Sequence, residues 1–187
     1  MAVDVVPYVD AHPTPAPPHQ GEGELRDGMA THDHLYRRGV GVMLLNRDGK
    51  VFVGARIDNT DEAWQMPQGG IDADEEPWAT ALRELEEETG IAPHLVERIA
   101  QCPERLKYDL PEELRGKLWG GKWKGQDQDW YLARFLGSDA DVNIATKDPE
   151  FRDWKWVEPE QLPDVIVPFK RDLYRRLLKE FEPHLNG

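Results

Sequence analysis

Apolar positions come in short blocks separated by charged turns, and their spacing changes along the chain. GVGVMLLN (39–46) is a nearly unbroken apolar run bounded by the polar turn RDGK, and VFVGAR (51–56) follows it. Two such runs around a Gly-containing turn predict a β-hairpin of buried strands. From Pro77 to Thr89 the period lengthens: Ala81, Leu82 and Leu85 mark one side of a predicted helix. Pro77 suits its first turn, Asp72 and Asp74 stand where they can cap it or face its dipole, and Gly90 sits where a C-cap glycine is expected. LVERIAQC (95–102), DWYLARFL (129–136) and DWKWV (153–157) read as further strands. Leu173, Leu177, Leu178 and Phe181 give an amphipathic helix from Phe169 to Phe181. Between strands, PEELRGKLWGGKWKGQDQ (111–128) reads as a long polar loop, a kind of segment that often carries function. Strands with two covering helices predict an α+β domain.

The first 34 residues lack any such period. AHPTPAPPHQGEGE is rich in Pro, Gly and acid, so residues 1–34 are expected to be a disordered tail and residues 35–187 the folded domain. His12, His19, His32 and His34 are scattered through that tail and read as solvated.

Charge and cysteine content narrow the function. A net charge of −13 argues against a general nucleic-acid-binding surface but leaves room for local basic patches, or for a metal that recruits phosphate to an acidic site. Arg115, Lys117, Lys122 and Lys124 make the long loop basic, and Lys170, Arg171, Arg175, Arg176 and Lys179 make the last helix basic. The single cysteine, Cys102, excludes an intrachain disulfide and fits a reducing, cytoplasmic compartment, where it reads as a buried thiol. No apolar run approaches the ~18 residues of a membrane span, and no secretory signal is seen.

The candidate chemistry lies on the first helix. Glu84, Glu87 and Glu88 stand at i, i+3 and i+4 and so share a face. Three carboxylates there repel one another unless a cation sits among them, and hard divalent ions take oxygen ligands. A solvated acidic face would look the same in isolation. The surrounding spacing separates the two readings: Gly69, five residues, Glu75, seven residues, then Arg83-Glu84-Leu85-x-Glu87-Glu88-x-Gly90-Ile91. This pattern resembles the Nudix box at each defining position.

Outside the box, YRRGVGVMLLN, WQMPQGGID, QDQDWYLARF, TKDPEFRDWKWV and VPFKRDLYRRLLKEF resemble the bacterial RNA pyrophosphohydrolases, a branch also described as dinucleoside polyphosphate hydrolases. The resemblance covers about residues 35–182. It implies a Nudix-type α/β/α sandwich with a mixed sheet, and hydrolysis that needs Mg²⁺, with Mn²⁺ or another divalent cation able to substitute. The expected reaction removes pyrophosphate from the 5′ end of triphosphorylated (or diphosphorylated) RNA, leaving a 5′-monophosphate and initiating mRNA decay. A dinucleoside polyphosphate such as diadenosine tetraphosphate is the alternative substrate, and a non-catalytic nucleotide-sensing module is a third reading. Glu84, Glu87, Glu88 and Glu150 are implied as catalytic residues and, with Gly69, as metal ligands. Substrate contacts are implied for Arg37, Gln68, Gln126, Gln128, Phe169 and Lys170. Glu75 and Arg83 are expected to brace the motif with Gly90, and Glu86 to be solvated. Core packing is the competing expectation for Phe169 and for Trp64. At one place the resemblance stops: Arg56 is followed by Ile57 where the family carries an arginine pair, and IDNTDEA runs one residue longer. A base clamp by a second arginine therefore does not carry over.

Overall fold

A computed structural model describes residues 32–59 and 62–185. Of the expected tail, residues 1–31 lie outside the described residues, His12 and His19 among them. His32–Leu35 form a 3₁₀ turn that leads straight into the sheet.

Seven strands form one mixed sheet: β1 (Tyr36–Leu45), β2 (Val51–Arg56), β3 (Gln68–Gly70), β4 (Val96–Gln101), β5 (Leu106–Asp109), β6 (Gly125–Phe135) and β7 (Phe151–Val157). The main path runs β4-β6-β1-β2-β7, with β3 added to β1 and β5 added to β6. β1 and β6 run parallel over their whole shared length, from Tyr36 beside Gly125 to Leu45 beside Arg134. The other pairs are antiparallel.

Strand alternation sorts the core into two layers. Met43, Leu45, Val51, Val53, Trp130 and Leu132 face a layer containing Leu162, Leu173, Tyr174, Leu177 and Phe181. These come from the short helix α2 (Leu162–Val165) and the last helix α3 (Arg171–Leu185). Val40, Val42, Leu44, Phe52, Tyr131, Ala133 and Phe135 face Ala81 and Leu85 of α1 (Pro77–Thr89). A strand covered on both faces reads as a continuous apolar run, which is why 39–46 shows no polar alternation. The arrangement is an α/β/α sandwich.

The hairpin turn is held by Asn46, whose side-chain oxygen accepts the Asp48 and Lys50 N–H groups at 3.0 and 2.9 Å. Beyond the pair Leu45–Val51 the two strands part, and β3 takes the free edge of β1. Gly41 makes room for the Trp130 ring on this stretch of β1: a Cβ there would lie 2.6 Å from it.

Helix α1 is capped differently from the sequence expectation. Glu76, not Asp72 or Asp74, is its N-cap, and the Glu76 carboxylate accepts the Ala79 N–H at 2.8 Å. Asp72 instead closes a turn with Glu75. Gly90 ends the helix at φ +71°, donating its N–H to the Glu86 carbonyl at 2.8 Å. α3 starts two residues later than expected and runs on to Leu185.

One expectation about strands needs correction, and two short strands went unpredicted. Residues 125–128, expected at the end of a polar loop, are the first residues of β6, with Gln126, Asp127 and Gln128 buried. Their polarity suggested solvent, but their side chains are met inside the sheet. β3 and β5, of three and four residues, carry too few positions to show a period.

Cys102 is buried in the α3-side layer, and burial foremost, with the Glu180 carboxylate nearby, pushes its thiol up to about 12. Only the thiolate reacts with disulfide reagents. The folded protein should therefore leave a chromogenic disulfide reagent unreacted at about pH 8 and release one equivalent of thiol on unfolding. Rapid labelling of the native chain would refute the burial assigned to this residue.

Candidate active site

The three glutamates of α1 divide between two environments. Glu84 is 3% exposed and Glu88 0%, both turned toward β3, while Glu87 is exposed at the rim. Gly69 is the reason Glu84 fits, because a Cβ on Gly69 would overlap the Glu84 carboxylate. Glu88 Oε2 accepts the Gln68 backbone N–H at 3.1 Å. Glu88 Oε1 is buried and meets no hydrogen-bond partner among the described residues. Burial above all, then the Glu150 and Glu84 carboxylates, push the Glu88 carboxyl well above its ordinary value; Arg56 and the Gln68 N–H pull the other way.

Arg83 currently answers the rest of this acidic group. Its Nε and Nη2 pair with both oxygens of Glu75 at 3.1 and 3.0 Å, while Nη1 reaches Glu84 at 2.9 Å and Glu87 at 3.2 Å. Burial is the largest single influence on the Glu75 carboxyl and acts to raise it, but the hydrogen bond from Arg83, the Asp72 N–H and the Arg83 charge together hold the group below its ordinary value. With Glu84 and Glu87 drawn to Arg83, no three metal-ligating side chains among the described residues are gathered as a finished site. The donor set nonetheless fits a hard cation: it is all oxygen, it is crowded with like charge, and the buried Glu88 Oε1 lacks a donor among the described residues. Glu86, on the far side of α1, is exposed.

Glu150 comes from the approach to β7. Its carboxylate meets Arg56 Nη1 at 3.0 Å, with side chains only 6% and 5% exposed. Arg56 also grips Asp58 through Nε and Nη2 at 2.7 and 2.8 Å. An irregularity in the β2–β7 register falls between Ala55 and Arg56, at the point where this side chain must turn inward. The Ile57 N–H donates to the Glu150 carbonyl at 2.8 Å, and the Ile57 side chain is 53% exposed. Sequence reasoning noticed Arg56 only as half of a missing arginine pair. Its tie to Glu150 spans 94 residues, and no local spacing announces it.

The α3-side face of the same strands carries the expected substrate contacts. The β1–β6 and β1–β3 registers place Arg37, Gly39 and Gly41 on the same face as Gln126, Gln128 and Gln68. The Arg37 guanidinium lies against Gly70, where a Cβ would overlap it, and 5.4 Å over the Trp119 ring. The Gly69 carbonyl oxygen sits over Gly39, 2.7 Å from where a Cβ would stand. Gln128 Nε2 donates to Gln126 Oε1 at 2.9 Å and to Gln68 Oε1 at 3.3 Å. Lys170 is fully buried, its Nζ 5.0 Å over the Tyr108 ring. Phe169 is half-buried, its ring 5.9 Å from that of Tyr108. Tyr108, on the unpredicted strand β5, is a member of this group that sequence reasoning missed. Trp64 packs partly buried on the α3-side core, with Lys155 over its ring.

Several cations of the two basic segments are engaged locally. Arg115 holds the Leu110 carbonyl, Lys122 and Lys124 lie over Trp123 and Tyr36, Arg171 holds the Pro163 carbonyl, and Arg175 and Arg176 pair with Asp172 and Glu104.

Comparison with known proteins identifies the fold and its lineage. A family model described as the NUDIX domain matches residues 35–177. A protein of Erythrobacter litoralis described as RNA pyrophosphohydrolase is 57% identical over 160 residues, spanning 84% of this chain and 98% of that one. One of the same description from Novosphingobium aromaticivorans is 61% identical over 148 residues, spanning 78% and 92%. Among solved structures, an Ap4A hydrolase binary complex from C. elegans superposes with a TM-score of 0.57 at 21% identity, covering 79% of this chain and 98% of that one. The E. coli dihydroneopterin triphosphate pyrophosphohydrolase gives 0.59 at 17% identity, covering 76% and 96%. These two distant likenesses speak for the fold alone. With a family match over most of its length and relatives more than half identical to it, the chain belongs to the Nudix family.

Proposed function

We propose that this protein is a cytoplasmic, divalent-cation-dependent RNA pyrophosphohydrolase that converts a 5′-triphosphate or 5′-diphosphate RNA end to a 5′-monophosphate. The observation that carries the reading is the fully buried Glu88 carboxylate, set beside Glu84 and Glu150 with one oxygen lacking a donor among the described residues. The substrate class is supported by the relatives' description.

Glu84, Glu87 and Glu88, with the Gly69 carbonyl and Glu150, would hold Mg²⁺, and Mn²⁺ or another divalent ion can replace it. Such an ion neutralises charge on phosphoryl oxygens and acidifies water. The chain itself supplies position and proton handling. Glu150, fixed by Arg56, takes up the proton of the attacking water. Arg37 offers a planar pair of donors to phosphate oxygens, and the glutamine row beside it adds neutral ones. Phe169 offers a face on which an RNA base stacks, with Lys170 beneath it.

The test is a side-by-side measurement of kcat/KM on 5′-triphosphate RNA, diadenosine tetraphosphate, nucleoside triphosphates and ADP-ribose. Triphosphate RNA should rank first. A higher value on diadenosine tetraphosphate would move the chain to dinucleoside polyphosphates, and no turnover at all would make it a nucleotide sensor. Phe169→Ala sharpens the comparison: it should lower kcat/KM on RNA of two or more nucleotides by about 1–3 kcal/mol and spare mononucleotides. An equal loss on every substrate with a lower Tm would assign Phe169 to packing.

A further inference from the structure

The glutamine row has a direction, and that direction is set from inside the core. The Trp130 indole has one donor and no acceptor. It gives its Nε1 proton to Gln128 Oε1 at 3.1 Å. The Gln128 amide is thereby oriented, with Nε2 facing Gln126 and Gln68 and donating to both. Gln126 Oε1 must then be the accepting end of its amide. It also takes the Tyr108 hydroxyl proton at 2.7 Å. With two donors on the oxygen, the Gln126 nitrogen is the end of the amide left to donate.

That nitrogen is buried and has no hydrogen-bond partner among the described residues. A buried amide donor is normally satisfied, so one left open calls for an acceptor from outside the chain. Gly39 carries no side chain beside this nitrogen: a Cβ there would stand 3.7 Å from Gln126 Nε2 and 2.7 Å from the Gly69 carbonyl oxygen. Arg37, beside Gln126 in the β1–β6 register and on the same face, adds positive charge. A donor next to a guanidinium suits an anionic oxygen better than a neutral carbonyl.

We propose that Tyr108 is a positioning residue: with Trp130 it fixes the glutamine row so that the Gln126 amide nitrogen is presented to a phosphate oxygen of the substrate. This rests on reading the face of Arg37 and the glutamine row as a polyphosphate site. The probe is methylenediphosphonate, a diphosphate that cannot be hydrolysed, titrated calorimetrically into the full-length protein with Mg²⁺. Gln126→Glu keeps the accepting oxygen and replaces the donor with a second oxygen; it should weaken binding by roughly 30-fold or more. Gln126→Met should weaken it about tenfold and Tyr108→Phe about fivefold. Tyr108→Phe added to Gln126→Met should weaken it no further, because the tyrosine acts through the amide. Thermal melts on each variant separate this from loss of fold.

If the wild type fails to bind methylenediphosphonate, the polyphosphate reading itself falls. If the wild type binds and Gln126→Glu binds equally well, the donor faces a water and the proposal alone is overturned. Additive losses from Tyr108 and Gln126 would make the tyrosine merely structural. Weakened binding of adenosine with unchanged binding of methylenediphosphonate would show the donor reading a base, which also overturns it.

Discussion

Glu88→Gln should give a protein that is more stable without metal and almost inactive with it. The side chain is fully buried, its Oε1 has no donor among the described residues, and Glu150 and Glu84 repel its charge. Glutamine keeps an oxygen for the Gln68 N–H and turns an NH₂ toward the neighbouring carboxylates. The sign follows from proton uptake. The folded protein holds a proton on Glu88 that the unfolded chain releases near the ordinary value of 4.5, so metal-free stability falls as pH rises from there through the raised folded value. The variant lacks this slope, and its Tm should exceed that of wild type by a margin that widens with pH. Mg²⁺ should raise the wild-type Tm and close the gap. Losing the carboxylate should lower kcat on the order of 100-fold or more, roughly 3 kcal/mol of transition-state stabilisation. Glu86→Gln, on the exposed side of the helix, should alter neither quantity. Near-normal turnover of Glu88→Gln at saturating Mg²⁺ would end the metal assignment, and a lower Tm would end the electrostatic account.

Arg56→Met should be the most destabilising single change near the site. It strands the buried Glu150 carboxylate, which then faces Glu88 without the guanidinium that now draws both. Removing one partner of a buried pair costs about 3–5 kcal/mol, a fall in Tm of roughly 10 °C for a domain of this size. Arg56→Lys should rescue only part of this, because one ammonium cannot hold Asp58 through two nitrogens and Glu150 through a third. Unchanged melting of Arg56→Met would mean that Asp58 and Glu150 find other partners.

The legible part of this fold was the part governed by local period. The apolar runs at 39–46 and 51–56, the first helix and the amphipathic last helix each carry enough positions for their spacing to show. The grouping of the candidate residues on the first helix was legible for a different reason: Glu75, Arg83, Glu84, Glu87 and Glu88 lie within one helix and its approach, so their relation is a matter of spacing. What escaped depends on partners distant in sequence. The resemblance names Gln126 and Gln128 as substrate contacts, but their place on a strand stays hidden until the parallel neighbour β1 is known. Tyr108 sits on a four-residue strand, and Arg56 finds Glu150 across most of the domain. Glu76 displaced the aspartates as the cap because the helix begins at Pro77, one residue after it.

The parallel seam between β1 and β6 also governs how the chain must fold during synthesis. Tyr36 and its neighbours leave the ribosome early, but their long partner is complete only when Phe135 has emerged. Until then the β1–β2 hairpin and α1 have an open, apolar strand edge and half a core. Contacts of such long range close slowly, and the waiting intermediate is prone to pair with other chains. A nascent chain stalled before residue 125 should therefore depend on chaperones, whereas one stalled after the last helix should not.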